Sequence, residues 1–152
     1  MKNVDRNLDV IKRNPREILH GDDNCVLRLL DSLTNKFIIK NDIKYIEALD
    51  FICRVAVGYV GEYFEAVCEE LFYQNFKGLF QYLYANQKND TCFEKLLVWE
   101  VSDEINSAAD REQKKQEIDN YLNEQTIKLR LSESEIEYLK KLQSKFDAAI
   151  WD

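Results

Sequence analysis

Residues 46–71 read IEALDFICRVAVGYVGEYFEAVCEEL, and this stretch decides the fold class. Its apolar residues recur at intervals of three or four, which is the spacing of a buried helical stripe. They are Ile46, Leu49, Cys53, Ala56, Val60, Phe64, Val67 and Leu71. The pattern predicts one long central helix, although Gly58 and Gly61 lie within it and each disfavours a helix by about 1 kcal/mol relative to alanine. The sequence leaves open whether these glycines kink or break the helix.

The rest of the chain has the same helical period and little punctuation for strands and hairpins. Pro15 is the only proline, and there are four glycines. Ser132 and Glu135 have the spacing of a capping box, in which each residue caps the start of a helix through the other's backbone. We therefore predict an all-α fold: a single compact bundle of about six to seven helices with one long central helix, spanning residues 1–152 as one domain.

The apolar runs and the cysteines bear on the environment of the protein. No run approaches the roughly 20 apolar residues of a membrane span, and the N-terminus leads into no hydrophobic signal region. The four cysteines, Cys25, Cys53, Cys68 and Cys92, match no zinc or redox spacing. Because Cys53 and Cys68 occupy apolar helical positions, we expect buried free thiols, a reducing compartment and a cytoplasmic location, with no membrane partner.

Negative charge is concentrated in the middle of the chain. The net charge is −7, and residues 41–107 alone hold twelve Asp and Glu against five Lys and Arg. Binding to phosphates requires clustered Lys and Arg, so we expect no direct contact with nucleic acid. An acidic surface suits either solubility or a basic protein partner.

The acidic residues of the central stretch form a stripe opposite its apolar seam. The stripe contains Glu47, Asp50, Glu62, Glu65 and Glu69, and Glu70 follows it directly. Carboxylates at this spacing could bind a hard cation such as Mg²⁺, but they are also typical of a solvated helix face. We predict a recognition surface for a basic partner, with no metal and no cofactor.

Tyrosines accompany these acids. Half of the chain's eighteen aromatic residues fall between positions 59 and 84. Because these rings cannot all point into the core, we expect some of the tyrosines to be exposed. Tyrosines beside carboxylates are typical of protein interfaces, where the ring buries area and the hydroxyl keeps a polar partner. The predicted partner-binding residues are Glu47, Asp50, Tyr59, Glu62, Tyr63, Glu65, Glu69, Glu70 and Tyr73.

Enzymatic chemistry has one candidate pair. His20 is the only histidine, so a site with two histidines is excluded, and the glycines do not form a phosphate-binding loop. Arg13 and His20 have the spacing Arg-x6-His, which resembles the Arg-x(4–6)-His motif of the HEPN family of helical ribonucleases. The resemblance implies a dimeric ribonuclease in which His20 is the acid–base catalyst. Two departures from the family are the N-terminal position of the motif and Pro15 between the two residues.

A second fragment agrees with the acidic charge. Residues 78–83, GLFQYL, resemble the Gly-Phe-x-Gln-Tyr/Phe core of an acidic helical family that includes a DNA mimic. From the acidic stripe and the tyrosines beside it, we expect a non-enzymatic acidic protein-binding module, such as an inhibitor, an immunity protein or a DNA-mimic-like decoy. The alternatives are the HEPN-like ribonuclease and a structural subunit that docks through the polar segment 107–115. Self-association into a homodimer is left open.

Overall fold

The computed structural model describes residues 4–146, which form nine helices and no strand. The helices are α1 (Val4–Arg13), α2 (Pro15–Ile18), α3 (Asp23–Lys40), α4 (Ile43–Val55), α5 (Gly58–Gln74), α6 (Phe76–Ala85), α7 (Cys92–Ser107), α8 (Arg111–Lys128) and α9 (Glu133–Ser144). The all-α prediction is confirmed, while the number of helices exceeds the six to seven expected. None of these helices is both long enough and apolar enough to cross a membrane.

Contacts between residues group the chain into two compact units, Met1–Leu96 and Leu97–Asp152. In the first unit α3 packs against both α4 and α5. Its core consists mainly of aliphatic and aromatic side chains from α3 to α6, with Ile11 of α1 and Phe93 of α7 also fully buried. The side chains from α3 to α6 include Leu30, Leu33, Phe37, Ile46, Leu49, Phe64, Leu71 and Phe80. The second unit buries a separate set, which includes Val101, Ile105, Ile118, Leu122, Leu139 and Leu142.

The predicted central helix is two helices, which corrects the sequence-based expectation. Helix α4 ends at Val55, and Ala56 and Val57 are extended before α5 begins. Gly58 then adopts a positive φ of 59°, a conformation that glycine reaches without the clash of a Cβ atom. The seam residues on both sides of the break are buried, so the apolar pattern identified the core positions but gave no sign of the break.

Polar caps define where several of the helices start. The Asp22 carboxylate accepts a hydrogen bond from the Asn24 N–H at the start of α3. The capping box of α9 is confirmed: Ser132 Oγ accepts from the Glu135 N–H, and Glu135 accepts from the Ser132 N–H. These side chains satisfy N–H groups that have no partner within the helix.

Gly78 marks a close approach between α6 and α3. A Cβ atom at this position would lie 2.6 Å from the Phe37 ring and would also meet the side chains of Asn41 and Asn75. Asn75 separates α5 from α6 and accepts a hydrogen bond from the Gly78 N–H at 3.2 Å. Its amide group donates to Asn41 Oδ1 at 3.1 Å. A glycine is therefore required here for packing.

The prediction of free thiols is wrong for two of the four cysteines. Cys53, in the last turn of α4, forms a disulfide with Cys92, the first residue of α7, across a Cα–Cα distance of 6.0 Å. Cys68 is a buried free thiol and Cys25 an exposed one. The sequence missed the pair because 39 residues separate its members and only the tertiary fold brings them together. The expectation of a reducing compartment loses its basis accordingly.

Candidate protein-binding surface

The acidic stripe of the sequence is divided by the break between α4 and α5. Its α4 members are Glu47 and Asp50, and its α5 members are Glu62, Glu65 and Glu69. Helical spacing places residues on a common face only within one continuous helix. The positions of the α4 acids therefore say nothing about those of the α5 acids.

Asp50 lies in the interior of the first unit, with an exposed fraction of 0%. Its Oδ1 accepts from the Phe93 N–H at 3.0 Å, and its Oδ2 accepts from Arg54 Nη2 at 2.9 Å. The Tyr82 hydroxyl donates to the same carboxylate. Burial, followed by the negative charge of Asp50, raises the pKa of Tyr82, so this hydroxyl stays protonated as a donor. Asp50 is thus a structural carboxylate, which corrects its interpretation as a partner-binding residue.

Glu47 is also engaged within the first unit. Its carboxylate lies 3.3 Å from Lys12 Nζ on α1, and both side chains are partly exposed. The pair links α1 to α4, but Glu47 is still partly exposed and remains a predicted partner-binding residue. Within the α4 half of the stripe, only Asp50 is enclosed by the fold.

The α5 half of the stripe faces outward. We call the exposed set on this helix the α5 face; it consists of Tyr59, Glu62, Ala66, Glu69, Glu70 and Tyr73. The exposed fractions of the two tyrosines are 61% and 41%. At 1.5 Å per residue, they stand about 21 Å apart along the helix axis. The α5 face is therefore a stripe of carboxylates with a tyrosine at each end.

The orientation of α5 follows from its opposite side. That side buries six residues, namely Val60, Phe64, Val67, Cys68, Leu71 and Phe72. The Phe72 ring meets the Tyr73 ring edge-on, with centroids 4.9 Å apart. Because Phe72 is fixed in the core, it also restricts the exposed Tyr73 ring, and less conformational entropy is lost when that ring is covered.

Two predicted residues flank the α5 face without belonging to it. Tyr63 is half-buried, and its hydroxyl donates a hydrogen bond to Asp31 on α3. Glu65 is also half-buried. Tyr63 therefore attaches α5 to α3, and only the edge of either residue is open to a partner.

The carboxylates of the α5 face have no cation of their own. Helix α5 contains no Lys or Arg. Among the residues that the structure describes, Glu62, Glu69 and Glu70 make no ion pair and no hydrogen bond. Glu65 lies three residues after Glu62 and four before Glu69, and like charges at these spacings disfavour a helix by a few tenths of a kcal/mol, so the acids do not stabilise α5. What they can do is attract positive charge from outside.

In the pair that resembles the HEPN motif, Arg13 lines a cleft to which His20 does not contribute. Arg13 is the last residue of α1, and its Nε donates to the Asp9 carbonyl at 3.3 Å. A cleft of about 320 Å³ is lined by Val10, Arg13 and Glu17. His20 is exposed in the turn after α2 and is not part of this lining. The helix break that Pro15 predicts lies between the two residues, because Asn14 separates α1 from α2.

Within the described part of the chain, no three His, Cys, Asp or Glu residues are grouped so that they could hold a metal ion. The α5 carboxylates are spread along a helix instead of converging on a point. The arrangement is suited to a long partner surface and not to a single cation.

Sequence reasoning missed one feature of this surface, the exposed Ala66 at its centre. Positions 59, 62, 66, 69 and 73 follow the helical period, so plotting α5 alone, with its true start, would have found it. The short side chain leaves room for a partner to approach the helix backbone. Comparison of the chain with protein-family models, curated proteins and solved structures finds no match.

Proposed function

We propose that this protein is a non-enzymatic module that binds a basic protein partner through the α5 face. The observation that carries the proposal is the row of exposed, unpaired carboxylates between Tyr59 and Tyr73. An inhibitor, an immunity protein or a DNA-mimic-like decoy would each act in this way, by covering a basic surface of its target.

Two physical effects divide the work of binding. Glu62, Glu69 and Glu70 speed the encounter with a basic surface, because their field is not cancelled by a cation on α5. Tyr59 and Tyr73 supply aromatic area that is buried in the complex and slows dissociation. Electrostatic steering weakens as salt screens the charges, so binding becomes weaker with ionic strength.

The first experiment identifies the partner. The protein is immobilised and exposed to lysate of its native host at low and at moderate salt, and bound proteins are identified by mass. We expect a basic protein that is retained at low salt and lost at moderate salt. If the bound material is RNA, or only a second copy of the protein, the nuclease alternative with Arg13 and His20 is tested next. RNA cleavage that is lost in His20→Ala would support that alternative.

The second experiment tests the α5 face with a matched charge control. The double variant Glu62→Lys, Glu69→Lys is expected to slow association at least about tenfold at low salt, since steering contributes factors of ten or more to association rates. The control, Glu112→Lys with Glu124→Lys, makes the same change in net charge on exposed, unpaired positions of α8. Equal effects of the two double variants would mean that only net charge matters and would refute the proposed surface.

The tyrosines are tested through dissociation. Tyr59→Ala and Tyr73→Ala are each expected to speed dissociation about tenfold, the effect of losing about 1.4 kcal/mol of contact. Ile127→Ala on α8 removes an apolar side chain that is even more exposed, at 78%, and should leave the rate unchanged. If neither tyrosine variant dissociates faster than the unchanged protein, the ends of the α5 face do not belong to the interface.

A further inference from the structure

We propose that the Cys53–Cys92 disulfide is a reversible thiol–disulfide exchange site, at which the thiolate of a dithiol reductant attacks the sulfur of Cys92. The proposal goes beyond the binding function of the α5 face and does not depend on it. It concerns the junction where the last turn of α4 meets the first residue of α7.

The two cysteine residues differ in exposure. Cys53 belongs to the buried side of α4 and is only 8% exposed, whereas Cys92 is half-buried and follows the exposed loop 87–90 after the buried Thr91. Exchange requires the attacking thiolate to reach the sulfur that it will bond. Cys92 is therefore the sulfur that is attacked, and Cys53 is the sulfur that leaves.

The electrostatic surroundings of Cys92 favour its reduced form. It is the first residue of a helix of sixteen residues, and a helix N-terminus stabilises a thiolate. Two carboxylates oppose this effect: Asp50, which pairs with Arg54 at 2.9 Å, and Glu94 in the first turn of α7. A disulfide whose thiolate product is stabilised is more easily reduced, as expected for a regulatory pair and not for a permanent crosslink.

The fold keeps the two cysteines together after reduction. Phe93, next to Cys92, donates its N–H to Asp50 on α4 at 3.0 Å. Its ring is buried and contacts Phe64 edge-on, with centroids 6.1 Å apart. These contacts hold the first turn of α7 against α4 without the covalent bond. Re-oxidation is then an intramolecular step at high effective concentration.

The exchange balances as a two-electron transfer. One thiolate of the reductant bonds to Cys92 Sγ, the Cys53–Cys92 bond breaks, and Cys53 leaves as a thiolate that takes up a proton. The second thiolate of the reductant then attacks the reductant's first sulfur, which is bonded to Cys92 in the mixed disulfide. Cys92 is released as a thiolate. The protein gains two thiols and the reductant becomes a disulfide. Glutathione disulfide reverses the change. The Cys92 thiolate attacks it and releases one glutathione thiolate, and the Cys53 thiolate then displaces the second glutathione from Cys92.

The first test asks whether exchange occurs in the folded chain. The exposed thiol of α3 is removed by Cys25→Ser, and the protein is treated with dithiothreitol without denaturant, quenched and alkylated. We expect Cys53 and Cys92 to become alkylated within minutes while the circular dichroism stays helical, and glutathione disulfide to restore the bond. A disulfide that resists reduction until urea unfolds the protein would overturn the proposal.

The second test assigns the attacked sulfur. In the Cys25→Ser background, Cys53→Ser leaves Cys92 as the accessible thiol, and Cys92→Ser leaves Cys53. We expect glutathione disulfide to modify Cys92 at least about tenfold faster than Cys53, because reactivity follows exposure and thiolate character. Equal or reversed rates would refute the assignment. If either variant fails to fold, trapping the mixed disulfide during re-oxidation of the Cys25→Ser chain and locating it by peptide mass answers the same question.

Discussion

Helices α4 and α5 follow each other in sequence and carry acids at similar spacings, yet the two helices use those acids differently. In α4, Asp50 is buried among three hydrogen-bond donors and Glu47 pairs with Lys12. In α5, Glu62, Glu69 and Glu70 are exposed and have no partner among the described residues. The comparison teaches that an acidic stripe in a sequence is not one surface until the helix that carries it is known to be continuous.

The difference has a physical origin in what each helix packs against. Arg54 follows Asp50 by one turn, and the start of α7 supplies an N–H that needs an acceptor. Helix α5 has no basic residue, and among the described residues no side chain donates to Glu62, Glu69 or Glu70. A carboxylate is stable in the interior only where donors and a cation compensate for lost hydration.

The largest effect is expected from Asp50. Asp50→Asn removes the charge that pairs with Arg54 and leaves the donors around it with a weaker acceptor, so we expect unfolding free energy to fall by about 2–3 kcal/mol. Urea denaturation followed by circular dichroism measures the change. Glu69→Gln, the same chemical change on the α5 face, should alter stability by less than about 0.5 kcal/mol. Similar losses in both variants would contradict the contrast between the helices.

A smaller effect tests the break between the helices. Gly58→Ala forces an alanine into a positive φ and should lower the unfolding free energy by about 1 kcal/mol. Gly61→Ala is the control, since Gly61 lies inside α5 and its Cβ would be 3.6 Å from the carbonyl oxygen of Ala56, an ordinary van der Waals contact. It should be neutral or stabilise by up to about 1 kcal/mol. If Gly58→Ala stabilised the protein instead, α4 and α5 would form a continuous helix and the comparison would fail.

The smallest effect is expected at Glu47. Its ion pair with Lys12 is partly exposed, so a double-mutant cycle with Glu47→Gln and Lys12→Gln should give a coupling energy below about 0.5 kcal/mol. The coupling should shrink further in high salt. A coupling energy of several kcal/mol would mean that Glu47 stabilises the fold as Asp50 does. Both acids of α4 would then be structural, in contrast to the exposed acids of α5.

Much of the local structure could be predicted from the sequence because its causes are local. The three-to-four spacing from Ile46 to Leu71 gave the buried positions, and the spacing of Ser132 and Glu135 gave the cap of α9. Tyr59 and Tyr73 were predicted from composition, because residues 59–84 hold half of the aromatic residues beside many carboxylates. Helical period and capping depend on neighbours within about one turn, which the sequence displays directly.

The sequence by itself determined that the chain is helical and that its acids and tyrosines concentrate near α5. Only the tertiary structure decided that Asp50 is buried, that Cys53 meets Cys92 and that the helix breaks at Ala56 and Val57. Asp50 lies 43 residues from Phe93, and the cysteines lie 39 apart. Contacts over such distances follow from how whole helices pack, and that packing leaves no periodic trace in the sequence around either partner.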